Sequence, residues 1–141
     1  MSALSRTWLE DIPADECADL LGSSWVGRLG VVVDDHPEIF PVNHVFERTT
    51  GSVLFPTTLG TKMRNALASR SVACEVDGVL SDGPIGWSVL VVGEAEELTD
   101  AATIAAATSL RRAVWAQSER SHWLRVRPLK VTGRRIYLVE D

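Results

Sequence analysis

The sequence predicts a mainly β (α+β) fold, a small six-stranded antiparallel barrel with peripheral helices. Three observations lead there. β-rich runs outnumber helix candidates, about six to three. The runs at 25–33, 38–46 and 53–55 follow one another through short turns, as in an antiparallel meander. The helix candidates fall irregularly between strands, which argues against a doubly wound parallel sheet.

The first expected element is a helix at 13–21, where Pro13 suits the first turn, Asp15 and Glu16 favour the positive end of the dipole, and Gly22 stops the run. Residues 25–33 are nearly continuous in apolar side chains and read as a strand. Asp34, Asp35, His36 and Pro37 turn the chain into a second strand at 38–46. Pro41 inside that strand has no N–H for a ladder, so it marks an edge or a bulge where backbone groups are freed. Residues 49–52 turn again into 53–55, and a helix over 63–69 follows. Strands are expected at 71–77 and 86–98, with a loop at 78–83 between them. Asp100 caps an alanine-rich helix at 101–107 that continues loosely towards 113. Residues 122–139 form one long strand, or a pair broken near Pro128 and Gly133.

With 141 residues the chain is expected to be one domain, 1–141, able to bury roughly two-thirds of its unfolded surface. A hydrophobic content of 45 % and a charged content of 23 % exclude disorder. No apolar run approaches the ~20 residues of a membrane span, and residues 1–6 lack a signal core, so the expected location is cytoplasmic with no membrane partner. Cys17 and Cys74 stand far apart without a CxxC or a nearby histidine and read as buried thiols. His36, His44 and His122 do not fall at metal-ligand spacing, and no metal site is expected. A net charge of −5 argues against nucleic acid. Basic residues nevertheless crowd the C-terminal third: Arg111, Arg112, Arg120, Arg125, Arg127, Lys130, Arg134 and Arg135. A solvated face and a rim of charge around an anionic ligand both fit that pattern.

The most chemically suggestive stretch is VLFPTTLGTK at 53–62. A short apolar strand runs into a hydroxyl-rich turn and a lysine that opens a helix. Free N–H groups, the helix dipole, the hydroxyls of Thr57, Thr58 and Thr61, and the charge of Lys62 together suit a phosphate. Gly60 permits either an unusual backbone angle or a close approach of chain to ligand. The same residues also fit a threonine-capped helix after a tight turn, with Lys62 solvated.

Three segments in order resemble the pyridoxamine 5′-phosphate oxidase-like family of flavin-binding split barrels. They are GRLGVVV at 27–33 with IFPVNH at 39–44, VLF-x-T-x-x-GTK at 53–62, and GWSVLV-x-G at 86–93. The closing W-x-RVRP-x-x-VTGRRI at 123–136 is similar to that family's last strand. The resemblance covers roughly 15–137. It implies a six-stranded antiparallel split β-barrel with peripheral helices, a homodimer holding flavin mononucleotide (FMN) between its subunits, and hydride transfer through the flavin N5. By the same resemblance the turn from Thr57 to Lys62 holds the phosphate, Pro41, Val42, Asn43 and His44 lie along the ring, and Ser88 reaches its polar edge. Phe55, Pro56 and Thr58 complete the expected cofactor set, with Trp87 and Trp123 as stacking candidates. For each of these tryptophans core or interface packing fits equally, and for Trp115 it fits better. Asn43 also reads as a satisfied strand amide, His44 as a proton donor beside the ring or a strand residue facing solvent or the interface, Arg28 as an interface or surface charge rather than a ligand, and Glu94–Glu97 as a solvated run.

The departures from the family pattern are specific. Many relatives carry arginine where Pro56 stands and tyrosine where His44 stands. Residues 133–137 read Gly-Arg-Arg-Ile-Tyr where true pyridoxamine-phosphate oxidases have an Arg-x-His clamp, so oxidation of a vitamin B6 substrate is not expected. A deazaflavin, with an acidic tail for the C-terminal arginines, and a cofactor-free binding module are the alternatives. No residue stands out as a general acid or base, which suits an enzyme whose chemistry belongs to its cofactor. The substrate is expected to be a small molecule of unspecified class.

Overall fold

The computed structural model describes residues 6–68, 70–79, 86–110 and 122–139. Along the chain it forms β1 (Arg6–Asp11), α1 (Ala14–Ser23), β2 (Val26–Val33), β3 (His36–Asn43), β4 (Val45–Glu47), β5 (Ser52–Thr57), α2 (Thr61–Leu67), β6 (Ser71–Val79), β7 (Gly86–Glu97), α3 (Ala101–Leu110) and β8 (His122–Val139). The strands make one eight-stranded antiparallel sheet in the order β3-β2-β6-β7-β8-β5-β4, with β1 added on β8. The 18-residue β8 is its spine. One side of β8 pairs with β7 along its length; the other takes β5 at His122–Val126 and β1 at Arg134–Val139. The sheet curls until β3 meets β5. Among the described residues no helix is long and apolar enough to cross a membrane.

Strand alternation sorts the side chains between the inside of the curl and the outside. Val53 and Phe55 of β5 and Leu124 and Val126 of β8 join Leu29, Val76, Val89 and Val91 in the main core. Leu54 and Trp123 point the other way and pack with Leu98 and Ala107, so α3 covers the outer face of β5 and β8. Cys17 and Leu21 of α1 enter the main core, where Gly133 makes room for the helix: a Cβ there would stand 2.6 Å from Cys17 Sγ. Both cysteines are free and buried, and desolvation raises the Cys74 thiol to about 12.

Among the described residues eight strands form, against the six expected, for two local reasons. β1 is exposed along its whole length, so its sequence carries no apolar alternation to reveal it. The expected strand at 38–46 breaks at His44 into β3 and β4, which sit on opposite edges of the sheet. The three-strand meander is thereby replaced by two hairpins, β2–β3 and β4–β5. β3 is an edge, the first of the two readings Pro41 allowed. Its loop is only Asp34 and Asp35, both at positive φ (50° and 63°), as a two-residue primed turn demands. β8 does not break at Pro128; the register slips instead between Val92 and Gly93 opposite it. Asp100 caps α3 as expected, accepting hydrogen bonds from the backbone N–H of Ala102 and Thr103. Within the expected loop at 78–83, Gly78 and Val79 belong to β6 and the remainder lies outside the described residues. Trp115, Arg111, Arg112 and Arg120 also lie outside them.

Candidate functional site

The corner between β5 and α2 is built from both ends. Thr57 closes β5 opposite His122, and its Oγ1 accepts the N–H of Leu59 at 3.1 Å. Gly60 is the helix N-cap, with Arg64 N–H donating to its carbonyl at 3.0 Å. The N–H groups of Thr61, Lys62 and Met63 therefore precede the helical ladder. No side chain caps this helix, so the threonine-cap reading does not hold. Gly60 adopts an ordinary extended backbone (φ −64°, ψ 164°), so no unusual angle requires glycine there. A Cβ at Gly60 would meet nothing within 4 Å, which leaves room for a close approach. Thr58 is exposed beside it. Lys62 occupies the second position of α2, and its side chain lies outside the described residues.

Sequence reasoning missed the side chain that braces this corner. Arg64, 11 % exposed, donates from Nη1 to Leu59 O at 2.6 Å and from Nη2 to Thr61 Oγ1 at 3.4 Å. Its Nε faces Glu97 Oε1 at 3.3 Å, an ion pair whose angle falls short of a hydrogen bond. The same carboxylate oxygen lies 3.0 Å from Nδ1 of His122. The run Glu94–Glu97 is thus not simply a solvated face: Glu97 braces the corner, and Glu96 pairs with Arg125 and Arg127. The three-residue helical spacing of Thr61 and Arg64 was the available signal.

The strand expected along the ring reaches the same neighbourhood. β3 comes up to β5 where the sheet curls closed. Val42 and Phe55 share the main core, and Pro41 is exposed at the edge. Asn43 is buried and donates from Nδ2 to Trp25 O at 3.4 Å, a satisfied amide. His44 is buried rather than solvent-facing: it is 4 % exposed, with Nε2 donating to Leu21 O at 3.1 Å and Nδ1 unpartnered. Desolvation lowers its pKa against the opposing effect of the Leu21 hydrogen bond, and the net shift favours the neutral ring. His44 also lines a cleft of about 420 Å³ between α1, β4 and the end of α3, together with Trp25, Phe46, Asp19, Arg48 and Leu110.

The remaining candidates separate. Pro56 faces Trp123 across the β5–β8 pair, and Trp123 is buried in the cluster beneath α3. Trp87 and Ser88 stand near the end of β7 opposite Glu97, about 30 Å of strand away. Trp87 lies over Gly78, where a Cβ would meet its Nε1 at 2.7 Å, and Ser88 pairs with Asp77 and Arg134. Val42 and Phe55 share the main core and Trp87 packs against it. Thr57 and Thr61 belong instead to the β5–α2 corner, and Ser88 is far along β7 from Glu97, the brace of that corner. Of the C-terminal basic cluster, Arg125, Arg127 and Arg135 are held by Glu47, Glu96 and Glu16. Arg28 is a surface charge paired with Glu75 and Asp77. Among the described residues no cluster of three or more metal-ligating side chains occurs.

Residues 13–135 match the family model for pyridoxamine 5′-phosphate oxidase. An FAD-binding protein from Mycobacterium smegmatis is 38 % identical and superposes with a TM-score of 0.76, covering 91 % of this chain and 98 % of that one. An FAD-binding protein from Mesorhizobium loti is 25 % identical with a TM-score of 0.74, covering 90 % and 97 %. An uncharacterised protein from Mycobacterium tuberculosis is 32 % identical over 131 residues, 89 % of this chain and 84 % of its own length.

Proposed function

Because the chain belongs to the pyridoxamine 5′-phosphate oxidase family, we propose that it is a cytoplasmic flavin-dependent oxidoreductase acting on a small molecule. Its flavin phosphate sits at the corner formed by Thr57, Thr58, Gly60, Thr61 and Lys62. The likeness to the M. smegmatis FAD-binding protein carries this reading, since it extends over nearly the whole chain. The corner fits a phosphate in kind: open space at Gly60, helix-start N–H groups and two hydroxyls lie together. FMN and FAD share the phosphate nearest the ring, and two relatives named for FAD make FAD as eligible as the FMN expected from the sequence.

When bound, the flavin supplies hydride transfer at N5. The protein's own part is to bind and orient it. Lys62 and the α2 start neutralise the phosphate, while Pro41, Val42, Asn43, His44, Phe55 and Pro56 form the strand walls leading away from it. Neutral His44 fixes the β3–β4 break and carries no charge towards the ring. Trp87 and Ser88 are too distant along β7 to serve the corner of their own chain. They serve through a homodimer, in which a second copy brings that end of β7 to the cofactor, with Trp123 packing the wall from behind.

Vitamin B6 oxidation is not part of the proposal: Arg135, at the place of the substrate clamp, is committed to Glu16. A deazaflavin is disfavoured because Arg125, Arg127 and Arg135 already have carboxylate partners. Two buried free thiols suit a reducing compartment. Titration calorimetry with FMN, FAD and a deazaflavin tests the reading. Saturable binding of FMN or FAD is expected; binding of the deazaflavin alone, or of none, would sink it.

A further inference from the structure

We infer that Arg64 is the positioning residue of the β5–α2 corner: its guanidinium shapes the turn at 59–61 to receive the phosphate, and Glu97 holds the guanidinium. The inference rests on the reading that this corner takes the flavin phosphate.

Leu59 is pinned at both of its polar backbone atoms. Its N–H is taken by Thr57 Oγ1 at 3.1 Å, and its carbonyl by Arg64 Nη1 at 2.6 Å. A trans peptide is planar, with its C=O and N–H pointing in opposite directions. Drawing Leu59 O towards the guanidinium therefore aims the Gly60 N–H of the same peptide away from it. The side of the turn where a Gly60 Cβ would stand is open, with nothing within 4 Å. Arg64 Nη2 also orients the hydroxyl of Thr61, leaving that oxygen's own proton available to a ligand.

A guanidinium this far withdrawn from water, 11 % exposed, needs partners for its charge as well as its donors. Glu97 supplies the charge, and its Oε1 is shared with His122, the register partner of Thr57. The chain of contacts runs from the turn through Arg64 and Glu97 to His122 and back to Thr57, fastening the corner to β7 and β8. Glu97 is also a negative charge close behind a proposed anion site. Arg64 compensates it, so removing the arginine both frees the turn and uncovers that carboxylate.

The test compares FMN with riboflavin, which has the same ring and no phosphate, by quenching of flavin fluorescence. In Arg64→Ala, FMN affinity should fall at least about tenfold while riboflavin affinity stays within about twofold. Arg64→Lys keeps the charge but not the two-pronged grip. It should also lose FMN affinity selectively, which guards against a folding defect in the alanine variant. Equal losses for FMN and riboflavin, or unchanged FMN affinity in both variants, would overturn the inference while leaving the cofactor reading standing. Where the wild type takes FAD rather than FMN the comparison is made with FAD, and wild-type protein that binds neither FMN nor FAD would overturn both.

Discussion

His44 donates from Nε2 to the carbonyl of Leu21, 3.1 Å away, and so ties the break between β3 and β4 to the last turn of α1. The contact joins a helix end to the point where the chain crosses between sheet edges. With Nδ1 buried and unpartnered, protonation of the ring would place a charge where nothing answers it.

Stability should therefore fall in mild acid. The folded pKa of His44 is lowered by desolvation from the usual 6.5, while an unfolded histidine takes its proton near that value. Below it the unfolded state binds more protons, so the stabilisation is complete above 6.5 and is lost as pH drops towards the folded pKa. Urea midpoints should decline between pH about 7 and about 5, and less steeply in His44→Gln, whose amide can still donate to Leu21. Parallel declines in the two proteins would count against the assignment.

Gly133→Ala should destabilise the fold by about 1–3 kcal/mol. The added methyl would lie 2.6 Å from Cys17 Sγ and 2.9 Å from Ile12 Cβ, so α1 must lift from β8. Chemical denaturation reads the loss directly, and an unchanged midpoint would contradict the packing described for α1.

Lys62→Ala should weaken FMN uptake at least about tenfold, through loss of a charge-assisted contact to the phosphate. Unaltered affinity would remove Lys62 from the phosphate site.

The proposed placement of Trp87 and Ser88 requires two chains per site. Light scattering should give a mass of twice 15.4 kDa. A monomer that still binds flavin would remove both residues from the cofactor set.

Much of the scaffold was legible because local chemistry decides it. Pro41 cannot sit in a central strand, Asp100 caps α3 within three residues of itself, and the Asp34–Asp35 turn is set by its own backbone. What stayed hidden depends on distant partners. Residues 38–46 read as one strand despite Pro41, and the break at His44 is fixed by contacts with Trp25 and Leu21, which are distant in sequence. Arg64 and Glu97 meet because α2 folds against β7, which no local pattern announces. β8 runs through Pro128 because the slip in register at Gly93 accommodates it. The corner at 57–62 was readable as a cluster of residue types, but its brace, Arg64 with Glu97, was not.

The most direct measurement is the visible absorption spectrum of protein incubated with FMN or FAD and freed of unbound flavin. A retained, stoichiometric isoalloxazine spectrum, diminished in Lys62→Ala, is the predicted result. Colourless protein after both incubations would contradict a phosphate-anchored flavin in this barrel.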